Sequence, residues 1–317
     1  MKLLVLTQKV DQKDPILGFF HRWIIEFAKH CEKVTIICLQ KGNFDLPDNV
    51  SVFSLGKEDG ISRLKYLWRF YTYIWRLRYN YDAVFVHMNP EYVILGGMLW
   101  RIWKKKINLW YIHKKINFKL KLAEKIVDKI FTIKQDFFKL SSRKFEYVGH
   151  GIDVEKFKRD IEIQKIENSI LFVGRISLVK RLEVLIEALK KIDEKKNKFV
   201  LNLVGEAGPQ DESYYKKIKI LAKELEGRCE VNFLGNILND QMPKVYNQNE
   251  LLVNLTPVGS FDKVVLEAMS CETMVLVYNQ SFSDVVPEVF IFHDVNDLIF
   301  KLKNIFGLSR MEKEEYG

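Results

Sequence analysis

Two cations that follow a glycine could bind a phosphorylated ligand in the second half of the chain. Gly174 and Arg175 come directly after the apolar run SILFV, and Lys180 follows five residues later. An arginine can hold a diphosphate with a fork of N–H donors, and a lysine adds a point charge. Because a Gly-Arg dipeptide also occurs by chance, two solvated cations in a lysine-rich protein remain the alternative.

A glycine-led polar loop opens a predicted helix further along, with the sequence GSFDKVVLEAM from Gly259. Backbone N–H groups at the start of a helix can bind phosphate oxygens or sugar hydroxyls. Glu267 lies in this otherwise apolar helix, where an acid needs a partner, and its carboxylate could accept hydrogen bonds from a ribose. We therefore favour a ligand role for Glu267 over the alternative, a capped helix with a surface acid.

Short apolar runs alternate with segments of helical periodicity along the whole chain, and these elements would position the residues above. Strands are predicted at 2–6, 33–39, 83–87, 108–113 and 129–133, and again at 169–173, 198–204, 231–234, 251–255 and 274–278. Strands that alternate with helices form βαβ units and parallel sheets. The pattern predicts two consecutive doubly wound α/β domains, with ligands at the carboxyl ends of the strands.

The predicted domains, residues 1–155 and 156–317, differ in charge. The 317 residues carry a net charge of +9. Residues 1–150 contain 27 Lys and Arg against 14 Asp and Glu, whereas residues 151–317 contain 23 against 27. The composition, with 48% hydrophobic and 29% charged residues, excludes a disordered chain, a collagen and a disulfide scaffold.

The four cysteines lie in apolar runs and lack the spacing of a zinc site. Buried free thiols are typical of a reduced, cytoplasmic protein. The apolar run after Met1 is too short for a signal peptide. Because no uncharged apolar run reaches the ~18 residues that span a bilayer, we expect no membrane-spanning segment. The lack of a Cys or His cluster at zinc spacing predicts that no metal site is present.

The order of the motifs in the second half resembles that of the family-4 retaining glycosyltransferases, also called glycosyl transferases group 1. Gly174-Arg175 and Lys180 are followed by VGE, then by VNFLG at 231–235, then by GSFDKVVLEAM. The resemblance implies a GT-B fold, in which two Rossmann-like domains face each other across a cleft. It also implies transfer of a sugar from a nucleotide diphosphate sugar, with retention and without a metal or other cofactor.

The first half agrees with this resemblance. The sequence YVGHGID at 147–153 is similar to the family's hinge motif, and Gly18, before an apolar helix, resembles its glycine loop. His113, after a predicted strand, resembles its histidine. By resemblance, the hinge would include His150 and Gly151.

The resemblance implies roles for the matching residues. Arg175 and Lys180 would hold the diphosphate and the charge of the leaving group, Glu267 the ribose, and His113 would face the reacting sugar; these four are the expected catalytic residues. The expected donor-binding residues are Gly174, Gly205, Asn236, Ile237, Gly259, Ser260, Phe261, Asp262 and Lys263. Gly18 would lie on the acceptor side, and His87, which ends a strand, could join it or be structural.

The chain departs from the family pattern at four places. The acid that usually stands eight residues before Glu267 is replaced by Gly259, and Asp262 is a candidate substitute. Arg181 stands where a glycine usually follows the lysine, and Leu17 replaces the first glycine of the N-terminal loop. The crossover helix with which the family normally ends has no apolar counterpart near residue 317, so we expect the C-terminal domain to lack it.

Residues 61–121 are basic and aromatic. They contain 13 Lys and Arg, only two acids, and five of the six tryptophans. Cations beside Trp and Tyr suit the headgroup region of an anionic bilayer, but a helix with a buried aromatic face would look similar. A nucleic acid is a weaker alternative, since no binding motif for one is present.

We therefore predict a retaining, hexosyltransferase-like enzyme of cell-surface polysaccharide or glycolipid synthesis. Its partners would be a nucleotide sugar, a glycan or lipid-linked acceptor, and the inner face of the cell membrane. A nucleotide-sugar epimerase of the same fold and a non-catalytic protein that binds sugar nucleotides remain the alternatives.

Overall fold

The computed structural model describes residues 1–14, 16–112, 116–133, 142–192, 198–257 and 261–307. The chain divides into two compact units, Met1–Gly149 and His150–Gly317, called here the N-terminal and C-terminal domains. Within the described residues each domain is built on one parallel sheet with helices. The predicted fold class, two doubly wound α/β domains, is confirmed. Our boundary after residue 155 lies a few residues beyond the observed division.

The N-terminal domain has a seven-stranded parallel sheet in its described part. Its strands are β1 (Lys2–Val10), β2 (Lys33–Lys41), β3 (Val50–Ser54), β4 (Ala83–His87), β5 (Lys106–Trp110), β6 (Lys129–Thr132) and β7 (Phe145–Tyr147), and its helices are α1 (Gly18–His30), α2 (Arg63–Arg76), α3 (Pro90–Ile102) and α4 (Phe118–Ile126). The order is β3-β2-β1-β4-β5-β6-β7. The order reverses between β1 and β4, and such sheets bind ligands in the crevice at that point.

The central strands of this sheet are apolar because helices cover both faces. All five residues of β4, AVFVH, are buried. Helix α1 buries Phe20, Ile24 and Ala28, which recur every four residues along one face. Burial of a side chain as large as Phe or Ile stabilises a fold by about 1.5–3 kcal/mol, so this face fixes α1, and the loop before it, on the sheet.

The C-terminal domain has a five-stranded parallel sheet in the ranges that the structure describes. Its strands are β8 (Ile166–Val173), β9 (Phe199–Val204), β10 (Cys229–Gly235), β11 (Asn249–Asn254) and β12 (Met274–Val277), and its helices are α5 (Leu182–Lys190), α6 (Glu212–Lys223), α7 (Met242–Gln248), α8 (Lys263–Ser270) and α9 (Val295–Gly307). The order is β10-β9-β8-β11-β12, and it reverses between β8 and β11.

Successive residues of β11 pack on opposite faces of this sheet, as the pleat requires. Leu251 and Val253 join the core under α5 and α9, where Leu185 and Leu302 are buried. Leu252 joins the other core, to which α8 contributes. Both faces are thus covered, and the side chains after the strands are left at the open carboxyl edge.

All ten predicted strands are present, with some ends shifted. Sequence reasoning missed β3, β7 and α9. β3 and β7 are short strands at the two edges of their sheet, where pairing with a neighbour matters more than an apolar run. Helix α9 has the apolar spacing of an amphipathic helix, and it buries Leu298, Leu302 and Ile305.

Cys31, Cys38, Cys229 and Cys271 are buried free thiols, as predicted. Over the described ranges, no helix is both long enough and apolar enough to cross a bilayer.

Candidate active site

The candidate site lies in the C-terminal domain at the carboxyl ends of β8 and β11, where the strand order reverses. β8 leads into Gly174 and Arg175, and a 3-10 turn, Leu178–Lys180, brings Lys180 back over this edge. β11 ends at Asn254 and is followed by Thr256. The topology therefore brings together two loops that are about 80 residues apart in sequence.

Two glycines allow the loops after β8 and β9 to approach closely. The N–H of Gly174 donates to the carbonyl of Val204 at 3.0 Å, and the N–H of Gly205 donates to the carbonyl of Gly235 at 2.7 Å. A Cβ atom on Gly205 would lie 2.1 Å from the carbonyl oxygen of Gly174, and its φ of +122° is one that other residues rarely adopt. Glycine is therefore required at 205.

Lys180 and Asp262 form the centre of a polar cluster at this edge. The ammonium Nζ of Lys180 lies 2.5 Å from Oδ2 of Asp262 and donates to the Thr256 hydroxyl at 2.9 Å. The same Asp262 oxygen accepts from the Thr256 hydroxyl at 2.6 Å and from Nδ2 of Asn254 at 2.9 Å. Burial opposes ionisation of Asp262, but Lys180 and these donors outweigh it and lower its pKa, so the carboxylate is ionised at neutral pH.

Arg181 connects this cluster to the start of α5. Its φ of +50° lies in the left-handed region that favours glycine, which is the residue that usually stands at this position in the family. The guanidinium lies over the ring of Tyr278, 4.8 Å from the centroid. This cation–π contact compensates for part of the backbone strain.

Helix α8 places a lysine and a glutamate one turn apart beside the cluster. Glu267 is 7% exposed and accepts a hydrogen bond from the Tyr246 hydroxyl at 2.8 Å. Desolvation raises the pKa of Glu267, and the Tyr246 hydrogen bond and the Lys263 charge offset part of that shift. Burial lowers the pKa of Lys263 to about 8. Within the protein, the partner of this buried acid is Tyr246, which sequence reasoning missed.

His150 and Phe261 lie near the N-terminus of α8. The ring of Phe261 stacks on Phe282 with 4.1 Å between centroids, and the His150 ring lies 6.4 Å from Phe261. Burial and the nearby Lys263 charge lower the pKa of His150 to about 3, so the imidazole is neutral at physiological pH. Gly151 follows His150 directly and has no atom within 4 Å of an added Cβ.

Arg175, Asn236 and Ile237 are on the periphery of the cluster. Nε of Arg175 lies 3.6 Å from Asp211, and the Arg175 side chain is 58% exposed. Nδ2 of Asn236 donates to Glu206 at 2.8 Å, and Ile237 is partly buried against the core under α8. Arg175 therefore has less support from its surroundings than Lys180 and could reorient toward a ligand.

Three predicted site residues, His113, Gly259 and Ser260, lie outside the described residues. Of the others, the structure brings together Lys180, Asp262, Lys263 and Glu267. Sequence reasoning missed Asn254 and Thr256, although both stand where β11 ends, which is the position that we used to find the other residues. It also missed Tyr246, for which an aromatic residue in a helix gives no usable signal.

The two acceptor-side residues lie at the reversal between β1 and β4 in the N-terminal domain. Gly18 donates its N–H to the carbonyl of Asp14 at 2.9 Å, and a Cβ on Gly18 would lie 2.9 Å from the carbonyl oxygen of Gln12. His87 is 2% exposed and lies 3.3 Å from the Thr7 hydroxyl. Its ring stacks on Phe20 with 4.0 Å between centroids. His87 is thus part of the core, and its acceptor role stays a prediction.

Helices α2 and α3 carry exposed apolar side chains, called here the aromatic face. Leu64, Trp68, Tyr71 and Trp75 recur at helical spacing on α2 and are exposed, Trp68 by 69% and Trp75 by 54%. Leu95, Met98 and Ile102 recur at helical spacing on α3 and are also exposed. The Tyr71 hydroxyl of α2 donates to the carbonyl of Leu95 in α3 at 3.1 Å. By contrast, Trp100 and Trp110 are buried, so the tryptophans divide between core and surface.

A family model covers most of the C-terminal domain. Residues 153–306 match the model described as "Glycosyl transferases group 1". An uncharacterized glycosyltransferase from Methanocaldococcus jannaschii is 38% identical over 122 residues, which are 38% of this chain and 30% of that relative. This match thus spans less than a third of the relative's length.

Solved structures resemble the whole chain. The Anabaena protein Alr3699/HepE, in complex with UDP and glucose, has a TM-score of 0.76 at 17% identity, over 100% of this chain and 92% of its own. Sucrose-phosphate synthase from Thermosynechococcus elongatus has a TM-score of 0.73 at 17% identity, over the same shares. At sequence identities this low, the structural similarity shows the fold alone. Residues 153–306 are therefore similar to the glycosyl transferases group 1 family, and the two domains of this chain have the fold of the GT-B glycosyltransferases.

Proposed function

We propose that this protein is a retaining glycosyltransferase that moves a hexose from a nucleotide diphosphate sugar to a glycan or lipid-linked acceptor. The observation that carries the proposal is the pair of Lys180 and Asp262 at the reversal between β8 and β11, with Glu267 buried in the adjacent helix α8. This is the position where doubly wound sheets bind nucleotides. The matched family model and the UDP bound to the similar Anabaena protein support the same conclusion.

The donor diphosphate would lie between the Lys180 ammonium and the first turn of α8. Lys180 supplies a fixed positive charge, and Arg175 a fork of donors that can turn toward the phosphates. The backbone N–H groups that open α8 add partial positive charge. We propose that these groups, rather than a metal ion, balance the charge that develops on the leaving diphosphate.

Glu267 would accept hydrogen bonds from the ribose hydroxyls of the donor. Its carboxylate already accepts one bond from Tyr246, and an ionised carboxylate has about four acceptor positions. The Tyr246 bond fixes the direction of the carboxylate, so that the remaining positions are oriented before the donor binds.

The transfer step would take place on one face of the sugar. The bond between the anomeric carbon and the β-phosphate oxygen breaks, and the acceptor hydroxyl forms its new bond from the same side. The acceptor's proton passes to the departing phosphate oxygen. The protein's contribution is to stabilise the charge of that oxygen, chiefly through Lys180, which lowers the barrier to bond breaking.

The acceptor would be presented at a membrane through the aromatic face. Exposed Trp and Leu side chains can enter the interfacial region of a bilayer, and exposed cations such as Arg63, Lys65 and Lys104 on and beside the same helices suit anionic headgroups. We propose that the protein is peripheral on the inner face of the cell membrane, in the synthesis of a cell-surface polysaccharide or glycolipid.

A panel of nucleotide sugars tests the transfer function. We expect one UDP- or GDP-sugar, incubated with the protein and a membrane lipid extract, to release free nucleoside diphosphate and label the lipid or glycan fraction with the donor's anomeric configuration. Lys180→Met should lower the rate of release about a hundredfold, whereas Lys217→Met, an exposed lysine of α6, should retain it. A changed free nucleotide sugar without transfer would indicate an epimerase, and binding without any turnover would indicate a non-catalytic protein.

Vesicle flotation tests the membrane surface. We expect the protein to float with vesicles that contain phosphatidylglycerol but not with pure phosphatidylcholine, and raised salt should weaken the association. Trp68→Ser with Trp75→Ser should reduce flotation. Phe300→Ser, an exposed aromatic of α9, is the matched control. Equal flotation of the tryptophan variant would contradict the proposed surface.

A further inference from the structure

Three donors converge on a single oxygen of Asp262. The Lys180 ammonium, the Thr256 hydroxyl and the Asn254 amide all bond Oδ2, at 2.5, 2.6 and 2.9 Å. A carboxylate oxygen has about two lone-pair positions, so this oxygen has no capacity left for a sugar hydroxyl. The acid that replaces the family's missing glutamate is therefore turned toward the protein's own lysine.

The same contacts fix the direction of the Lys180 side chain. Its ammonium has three N–H groups, and among the described residues two are used, by Asp262 and by Thr256. Thr256 closes a triangle because it accepts from Lys180 and donates to Asp262. A flexible lysine that would otherwise sample many rotamers is held in one, with its third N–H available for a ligand.

We propose that Asp262 is a positioning residue: its Oδ2, which has no bond left for the donor sugar, aims the ammonium of Lys180 at the leaving phosphate of the donor. The inference rests on the proposed transfer function and changes the role expected for Asp262 within it. The diphosphate would contact Lys180 and the first turn of α8, whereas Asp262 acts through Lys180.

The proposal has two opposite consequences for binding and for rate. Asp262 is an anion near the diphosphate, so its charge repels the bound nucleotide and neutralises part of the Lys180 charge. Replacing it with a neutral amide should therefore strengthen binding of the free diphosphate. The same change releases Lys180 from its fixed direction, so stabilisation of the transition state should fall.

The test compares Asp262→Asn with the wild type in two measurements. With UDP and GDP as probes in calorimetry, we expect the variant to bind the preferred nucleotide about threefold more tightly, through lost repulsion. With the active donor, we expect kcat to fall about tenfold or more while KM does not rise. Thr256→Val, which keeps both charges but removes the bridging hydroxyl, should lower kcat by a smaller factor.

Two controls separate positioning from folding and from a direct donor contact. Glu224→Gln, which neutralises an exposed acid paired with Lys190, should leave kcat and UDP affinity unchanged. In a Lys180→Met background, adding Asp262→Asn should change kcat less than twofold, because Asp262 acts through Lys180. A cooperative thermal unfolding transition in each variant would show that the domain is folded.

The outcomes distinguish this inference from the proposed function. If the wild type binds UDP or GDP but Asp262→Asn binds more weakly, or keeps its kcat, or adds its own tenfold loss to Lys180→Met, then Asp262 is not a positioning residue. If the wild type binds no nucleoside diphosphate at all, the proposed function is wrong and the inference is overturned with it.

Discussion

The two domains use the same topological position in opposite ways. At the reversal between β8 and β11, ionised side chains such as Lys180 and Asp262 bond one another. At the reversal between β1 and β4, the corresponding polar residue, His87, lies under the ring of Phe20 and is closed off from solvent. The difference teaches that a doubly wound sheet supplies only the crevice, while the side chains decide whether charge or apolar packing fills it.

The energetic consequences differ as well. Apolar burial at the β1/β4 edge depends chiefly on shape and buried area. The β8/β11 edge depends on pairing of charges that have been removed from water, so it responds to protonation and to the loss of a single partner. Four variants test this contrast, in order of decreasing expected effect.

Truncation of the aromatic cluster should have the largest effect. Phe20→Ala removes a fully buried ring from α1, and we expect a loss of about 3–5 kcal/mol in the free energy of unfolding. Phe19→Ala, its half-buried neighbour, should lose clearly less. Urea unfolding at pH 7.5 measures both, and equal losses for the two variants would contradict the apolar account of this edge.

Closing the glycine approach at the other edge should have the next largest effect. Gly205→Ala would place a Cβ 2.1 Å from the Gly174 carbonyl oxygen, and we expect a loss of roughly 3 kcal/mol from the clash and the backbone strain. Gly227→Ala also has a positive φ but open space around it, so only about 1 kcal/mol of strain is expected. Equal losses in thermal unfolding would show that close approach of the loops is unimportant.

Acid should destabilise the C-terminal domain through His150. The pKa of His150 is lowered to about 3, below the ordinary value of 6.5. The unfolded chain therefore binds a proton that the folded chain excludes, and stability falls as the pH drops from 6.5 toward 3, by up to about 1.4 kcal/mol per pH unit. His150→Gln should flatten the dependence of the unfolding free energy on pH. An unchanged dependence would contradict its assignment to His150.

Neutralising the buried acid of α8 should stabilise the domain slightly while impairing function. Burial raises the pKa of Glu267 above its value in the unfolded chain. Keeping the carboxylate charged at neutral pH therefore costs the folded state free energy. We expect Glu267→Gln to gain about 1 kcal/mol at pH 7.5, because the amide oxygen still accepts from Tyr246. The gain should vanish below the ordinary pKa of 4.5, where the wild-type acid is protonated. The same variant should bind UDP more weakly, and a loss of stability at pH 7.5 would contradict this account.

Most of the fold could be predicted because it depends on local patterns. Runs such as AVFVH and the spacing of Leu182, Leu185 and Leu189 predict a strand and a helix without knowledge of their neighbours. A glycine and cations after a strand also predicted Lys180, and a lone acid in an apolar helix predicted Glu267. The half-buried edge strands β3 and β7 were missed, since pairing with a neighbouring strand defines them more than their own composition does.

The sequence by itself determined the alternation of strands and helices, the glycines at close approaches and the types of residue available for chemistry. Only the tertiary structure decided which of them meet. Lys180 and Asp262 are 82 positions apart and pair because the strand order reverses between β8 and β11. Likewise, Trp68 and Trp75 are exposed while Trp100 and Trp110 are buried. Periodicity identifies a helix from its own residues, but burial and charge pairing depend on which distant segment packs against it.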